Sequence, residues 1–434
     1  MKKKYLFTAA GVLGAIGGAA AYLYGKQKKE AQETTSPDCT NKIILSKKLW
    51  REHDTRKTNI NNNFLLIGSI ETAAKHFMIP NILEENSSYV IVDPEGRIYE
   101  QVKDNLELDG YEVKCLNLSS QTIKGCIPYN PFAYAKTERD MMMLIDCLLT
   151  SNALAACSQA KFWFDSQRLL LMACAFHLLE SGKTLSFMAV NDLLDDFSED
   201  LFSEDPKNSL AAIYFKAFAA SASGHTKDAV VKACIDCLHP FCFWSERDDC
   251  SLEKLSDKKI ALFLISDAEP NTISKTLIPL LFQQLYEIQH EKIMGYAKNN
   301  ITIPYSSVTC FIQGKEYLKA FDREDNFLFM HSRYFPSYGI DLIFAAENIS
   351  EDNGINPTGI NLRTAANCDS IIYYSSPDLA TAEYVSKRIG DEKIFFRKET
   401  ENRRIMTSDE LLRLPEGKCV VIQKNEKAVI DDVY

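Results

Sequence analysis

The chain has 434 residues, 46% hydrophobic and 25% charged, a globular balance with length for two or three compact units that have real cores. The formal net charge is −10, and residues 1–30 hold six Lys against one Glu, so the remainder carries about −15. An acidic body is a poor default binder of nucleic-acid backbones, because that binding needs Lys and Arg to displace counterions. The 13 Cys sit mostly in apolar runs, as Cys147, Cys157 and Cys174 do, which is the usage of reduced core thiols and favours a cytoplasmic body.

The chain opens with Met1-Lys2-Lys3-Lys4, then runs uncharged from Tyr5 to Gly25, then reaches Lys26, Lys28 and Lys29. Twenty-one residues at 1.5 Å rise span about 31 Å, enough to cross a bilayer core as one transmembrane helix. The rival is a signal peptide cleaved near Ala19-Ala20-Ala21. Uninterrupted length, the second basic cluster and the reduced cysteines favour an anchor over 1–25. Both flanks are basic, so charge does not set its orientation. Residues 26–58 are polar, contain Thr34-Thr35-Ser36-Pro37, and read as a tether and entry segment.

Short apolar runs then mark buried strands: Asn63-Phe64-Leu65-Leu66-Ile67, Tyr89-Val90-Ile91-Val92 and residues 111–116. Helix-length segments separate them, which predicts a parallel sheet with crossovers. From 136 to 254 the periodicity is helical, clearest over 141–149, 162–179 and 229–238. Strand patterns resume at 260–265, with a long helix over 273–296 and strands at 308–312, 341–345, 370–374 and 419–422. The expected architecture is one α/β domain, in parts 59–135 and 255–434, interrupted by an all-α domain at 136–254.

Several strings resemble the TraG-type coupling proteins of conjugative type IV secretion. They are Thr55-Arg56-Lys57-Thr58 with Asn61-Asn62-Asn63, then Asp93-Pro94-Glu95-Gly96, Tyr129-Asn130-Pro131-Phe132, Phe162-Trp163, Asn367-Cys368-Asp369-Ser370 and Glu383-Tyr384-Val385-Ser386-Lys387. Their order over most of the chain carries the likeness. It implies a RecA-like nucleotide domain with an all-α insertion. It also implies a membrane-anchored, hexameric ATPase that links relaxase-bound DNA to a secretion channel.

The resemblance implies a phosphate loop on residues 67–74, where Gly68, Ser69, Glu71, Thr72, Ala73 and Ala74 stand. Such a loop needs glycines, a lysine for the β/γ oxygens and a hydroxyl for Mg²⁺. Gly68 remains, but Ala73 holds the lysine position and Ala74 the hydroxyl position. Lys75 lies two residues on and points about 200° away around the helix. The second acidic motif falls on Gln313 and Gly314, and neither can hold Mg²⁺ or orient a nucleophile. A third family residue, a Gln, falls near Ala346. The retained family positions are Asp93, read as a strand-end turn residue, Arg333, Asn367 and Asp369. Arg333 reads as a helix cap or as a residue serving a neighbour's site.

Cys234, Cys237, Cys242 and Cys250 with His239 have a zinc-like start, but Cys234 and Cys237 fall on the apolar face of a helix. No metal and no cofactor is expected. The expectation is a catalytically inactive, single-pass membrane relative of the coupling proteins. Its partners would be proteins of the secretion apparatus, among them an active paralogue, with DNA contact and oligomeric state left open. The alternatives are an ATP-driven DNA translocase with an atypical site, and a binding protein that keeps the cleft for another ligand.

Overall fold

A computed structural model describes residues 41–434 apart from 122, 153–159, 203–204, 243, 245, 302–306, 323–325, 351–358 and 397–398. The expected anchor at 1–25 and the tether up to residue 40 lie outside the described residues. No helix among the described residues is long and apolar enough to cross a membrane.

The strands in chain order begin with β1 (Lys42–Ile44), β2 (Trp50–Glu52), β3 (Phe64–Ile67), β4 (Ser88–Pro94) and β5 (Glu112–Asn117). They continue with β6 (Ile260–Ser266), β7 (Val308–Gln313), β8 (Ile340–Ala346), β9 (Ile349–Ser350) and β10 (Ile360–Asn361). Last come β11 (Ser370–Tyr373), β12 (Asp391–Phe396), β13 (Glu399–Arg404), β14 (Lys418–Gln423) and β15 (Val429–Asp432). The described residues fall into two compact units: 41–86 with 347–349 and 368–434, and 87–346 with 350–367.

In the first unit β3 pairs parallel with β11, which pairs antiparallel with β14, and β14 with β15. Every residue of β3 is buried, as expected of a parallel strand covered on both faces. The helix after β3 has an α turn at Ile70–Ala73, a π turn at Ala74–Met78 and a further α turn at Ile79–Ile82. Buried Asn81 stitches that helix to β1: it accepts from Ile44 N at 2.8 Å and donates to Ile44 O and Phe77 O at 2.9 and 2.8 Å. Within the expected tether and entry segment, β1 and β2 form an antiparallel pair.

In the second unit β8, β7, β4, β6 and β5 lie side by side in that order, all parallel. The order leaves the carboxyl ends of β4 and β7 as neighbours, which places Asp93 and Gln313 near one another. Between β5 and β6 every element among the described residues is helical. The helices Glu138–Asn152, Ala160–Glu180 and His225–Leu238 cover the predicted periodic runs. This helical segment and the strands β4 to β8 belong to one compact unit, and the long helix Thr272–Lys298 packs on Glu138–Asn152.

Candidate functional site

The phosphate-loop positions lie in the first unit. β3 ends at Ile67 and the helix begins at Ile70, so only Gly68 and Ser69 join them. Gly68 has φ +145°, and a Cβ there would lie 3.0 Å from Tyr374 Cβ and 3.1 Å from Ser375 O. Its glycine is therefore required by a close chain crossing, whatever binds there. Ser69 is the N-cap: its Oγ accepts from Thr72 N at 3.1 Å and lies 2.7 Å from Thr72 Oγ1. The Ala73 amide donates to Ser69 O at 3.0 Å, and the Ala74 amide to Glu71 and Ile70 carbonyls. Backbone donors that a phosphate loop would turn toward its ligand are thus engaged within one helical turn.

A phosphate-loop pattern starts at the residue after its strand, and here that residue is Gly68. Counted so, the lysine position moves from Ala73 to Ala74 and the hydroxyl position to Lys75. Ala73 is buried and Lys75 exposed. Neither register puts an ammonium at the lysine position. Glu71, exposed on the first turn, adds negative charge in both.

The acidic-motif positions lie in the second unit. Gln313 is 3% exposed, and its Nε2 donates to Val92 O on neighbouring β4 at 2.9 Å. Gly314 turns the chain at φ +96° into the helix Lys315–Asp322, and a Cβ there would lie 3.1 Å from Tyr317 Cδ2. Asp93 ends beside them, fully buried, accepting from Ile98 N at 3.1 Å and Tyr99 N at 2.7 Å. It caps the helix Arg97–Leu108 across the left-handed Gly96. Burial pushes its carboxyl up to about 6, against the pull of those amides. Ala346 closes β8, buried.

The retained family positions are joined to structural brackets. Asp369 accepts from Asn61 N at 3.0 Å and pairs with Lys424 at 3.2 Å, while Asn61 Oδ1 accepts from Asp369 N at 3.3 Å. Beside them, a residue that sequence reasoning missed ties the entry segment down. Arg51, 7% exposed, donates to Ser370 Oγ at 2.8 Å, Asn62 Oδ1 at 3.0 Å and Gln423 Oε1 at 3.2 Å, and lies over the Phe64 ring. Nothing local in Trp50-Arg51-Glu52 signals a buried cation. Asn367 donates to Ser332 Oγ at 2.9 Å. Arg333 is exposed, its guanidinium 4.5 Å over the Tyr334 ring.

The Tyr-Asn-Pro-Phe string fastens the start of the helical segment to its end. Asn130 Nδ2 donates to Leu185 O at 3.0 Å and Glu246 O at 2.9 Å, and Tyr134 OH donates to Asp248 Oδ2 at 2.5 Å. Tyr129 OH donates to Gln284 Oε1 at 2.6 Å, and Trp244 Nε1 to Tyr129 O at 2.5 Å. The cysteines of the zinc-like string contact separate carbonyls: Cys234 that of Gln167, Cys242 that of Leu238, Cys250 that of Pro128. Burial pushes the Cys234 and Cys250 thiols well above their ordinary range.

Parallel strands with crossover helices, strand-end turns at Gly68, Asp93 and Gly314, and a helical segment between β5 and β6 define a RecA-like α/β protein. Residues 34–233 match the family described as Type IV secretory system Conjugative DNA transfer. That match covers 200 of the 434 residues, so it links the chain to this family over less than half of its length. Among solved structures it is similar to the bacterial conjugative coupling protein TrwB in complex with sulphate, at 14% identity over 94% of this chain and 92% of that one, TM-score 0.66. It is also similar to the plasmid coupling protein TrwB in complex with ADP and Mg²⁺, at 14% identity, the same coverage and TM-score 0.63. At such identity the likeness is one of fold. No curated protein sequence matches the chain.

Proposed function

We propose that this chain is a membrane-tethered member of a conjugative type IV secretion apparatus that works through protein contacts and does not turn over ATP. The observation that carries the reading is the two-residue link Gly68-Ser69. A phosphate cradle needs a loop whose amides are free to turn outward, and here a helical turn capped by Ser69 stands in its place. The Gln313 amide, held on Val92 O, and the left-handed Gly314 offer no carboxylate for Mg²⁺ or for a nucleophilic water. Buried strands kept with polar site residues replaced fit a chain whose surface does the work. Its partners would be proteins of the secretion apparatus, an active paralogue among them.

The rival reading is an ATP-driven DNA translocase with an atypical site, and TrwB solved with ADP and Mg²⁺ gives it a precedent in fold. Titration calorimetry of the full chain with Mg·ATP separates the two. The expected outcome is no saturable heat with ATP in the micromolar to millimolar range. A Mg²⁺-dependent dissociation constant in the micromolar range overturns the reading.

A further inference from the structure

A groove runs along the second unit between the helices Glu138–Asn152 and Thr272–Lys298. On the long helix the lining positions recur at 280, 283, 284, 287, 288 and 291, one stripe over three turns. Leu280 and Gln283 are buried, so the open part of the stripe runs from 284 to 291, about 10 Å at 1.5 Å per residue, or two turns of a bound helix. The apolar surface open in it comes from half-buried Met143 and Ile288, above buried Leu144 and Leu280, with Tyr134 and Gln284 beside them.

The rim is acidic. Asp140, Glu287 and Glu291 line it, and Lys136 is its one lining cation among the described residues. Lys136 is turned to Glu253, 3.4 Å away. Arg139 reaches Glu287 at 3.1 Å, yet burial still holds the Glu287 carboxyl above its ordinary range. Glu291 is exposed and makes no ion pair among the described residues. An apolar floor between carboxylates wants a ligand with an apolar stripe flanked by cations.

We propose that this groove docks a basic amphipathic helix of a partner protein, apolar stripe on Met143 and Ile288, cations on Glu287 and Glu291. The inference rests on the protein-contact reading above and names the chemistry of one contact. The body's charge, about −15 beyond residue 30, draws such a partner at long range.

The test uses the full chain in phosphatidylcholine nanodiscs, with empty nanodiscs as the blank. The probe is a fluorescein-labelled 16-residue helical peptide with Leu at i, i+4, i+7 and i+11 and Lys on both flanks. Fluorescence anisotropy should show saturable binding that weakens with salt, and none for the same peptide with Glu in place of Lys. The double variant Glu287→Lys/Glu291→Lys, and separately Ile288→Asp, should each weaken binding at least tenfold with the melting temperature retained. Should either variant fail to fold, a photoreactive residue in the peptide stripe should cross-link wild-type protein at Met143 or Ile288. Equal binding of both peptides, no binding, or cross-links elsewhere overturns the groove. If secretion proteins are still captured by the tagged chain in cells while the groove fails, the protein-contact reading stands and only this site is wrong.

Discussion

Asp93 sits at 0% exposure with its carboxylate on two backbone amides, and its carboxyl is pushed up to about 6 from an ordinary 3.8 by burial. The folded state therefore prefers the proton more than the unfolded chain does. Stability linked to this group is fully present below pH ~4 and is lost as pH rises through about 6. Replacing Asp93 by Asn removes the titration while keeping the shape. Relative to Asp93→Asn, the wild type should gain about 2 kcal/mol in unfolding free energy between pH 7 and pH 4.5, since each tenfold difference in proton affinity between the folded and unfolded states is worth about 1.4 kcal/mol. Denaturant unfolding of both proteins at the two pH values checks it, and a constant difference between them refutes it. Near this group, Gln313 donates where an acid would repel: Val92 O and the Asp93 carboxylate are both acceptors, so an amide at 313 relieves what a second carboxylate would strain.

Among the elements, the segment Tyr129-Asn130-Pro131-Phe132 draws together pieces far apart in sequence. Asn130 alone holds the carbonyls of Leu185 and Glu246 and accepts from Phe132 N at 3.2 Å. Asn130→Ala should leave the buried Leu185 carbonyl and the partly buried Glu246 carbonyl without this donor and cost roughly 1–3 kcal/mol. Hydrogen exchange should then speed up at 128–134 and 246–252 while β3 and β11 stay protected; a uniform loss of protection would show that the bracket is not local. The same contrast shows what the sequence could reveal. β3 is an unbroken apolar run, and β4, β6 and β7 are buried along nearly their whole length and mostly apolar, as strands covered on both faces are, so they are readable directly. β13 is Glu-Thr-Glu-Asn-Arg-Arg and offers no alternation, and β1 and β2 span three residues each. The π turn at Ala74–Met78 leaves no mark in composition. At the candidate site the missing lysine and acids were legible as residue types. The start of the helix only two residues beyond β3 was not, and the register placed on 67–74 rested on the resemblance alone. Partners such as Arg51 with Ser370 lie 319 positions apart and come together only through the β3–β11 pairing.

For the whole molecule, charge is divided unevenly: residues 1–30 carry about +5 and the rest about −15. An acidic body is repelled by anionic lipid, since surface attraction grows with juxtamembrane Lys and Arg and falls off within a Debye length. The tether proposed above would then be the uncharged run 5–25, whose twenty-one residues would span about 31 Å as a helix, the thickness of a bilayer core. Two consequences separate this from a surface-bound protein. The full chain should remain in the membrane pellet through high salt and alkaline carbonate, because apolar burial is not screened. A chain lacking residues 1–25 should be wholly soluble and should not sediment with anionic vesicles even at low salt, where electrostatic binding would be strongest. Fractionation of cells expressing each form, with vesicle sedimentation of the shortened one, makes the measurement. Release of the full chain by salt, or retention of the shortened chain in the pellet, would place the attachment in the body. A mature N-terminus near Tyr22 on a secreted protein would instead make 1–25 a cleaved signal peptide.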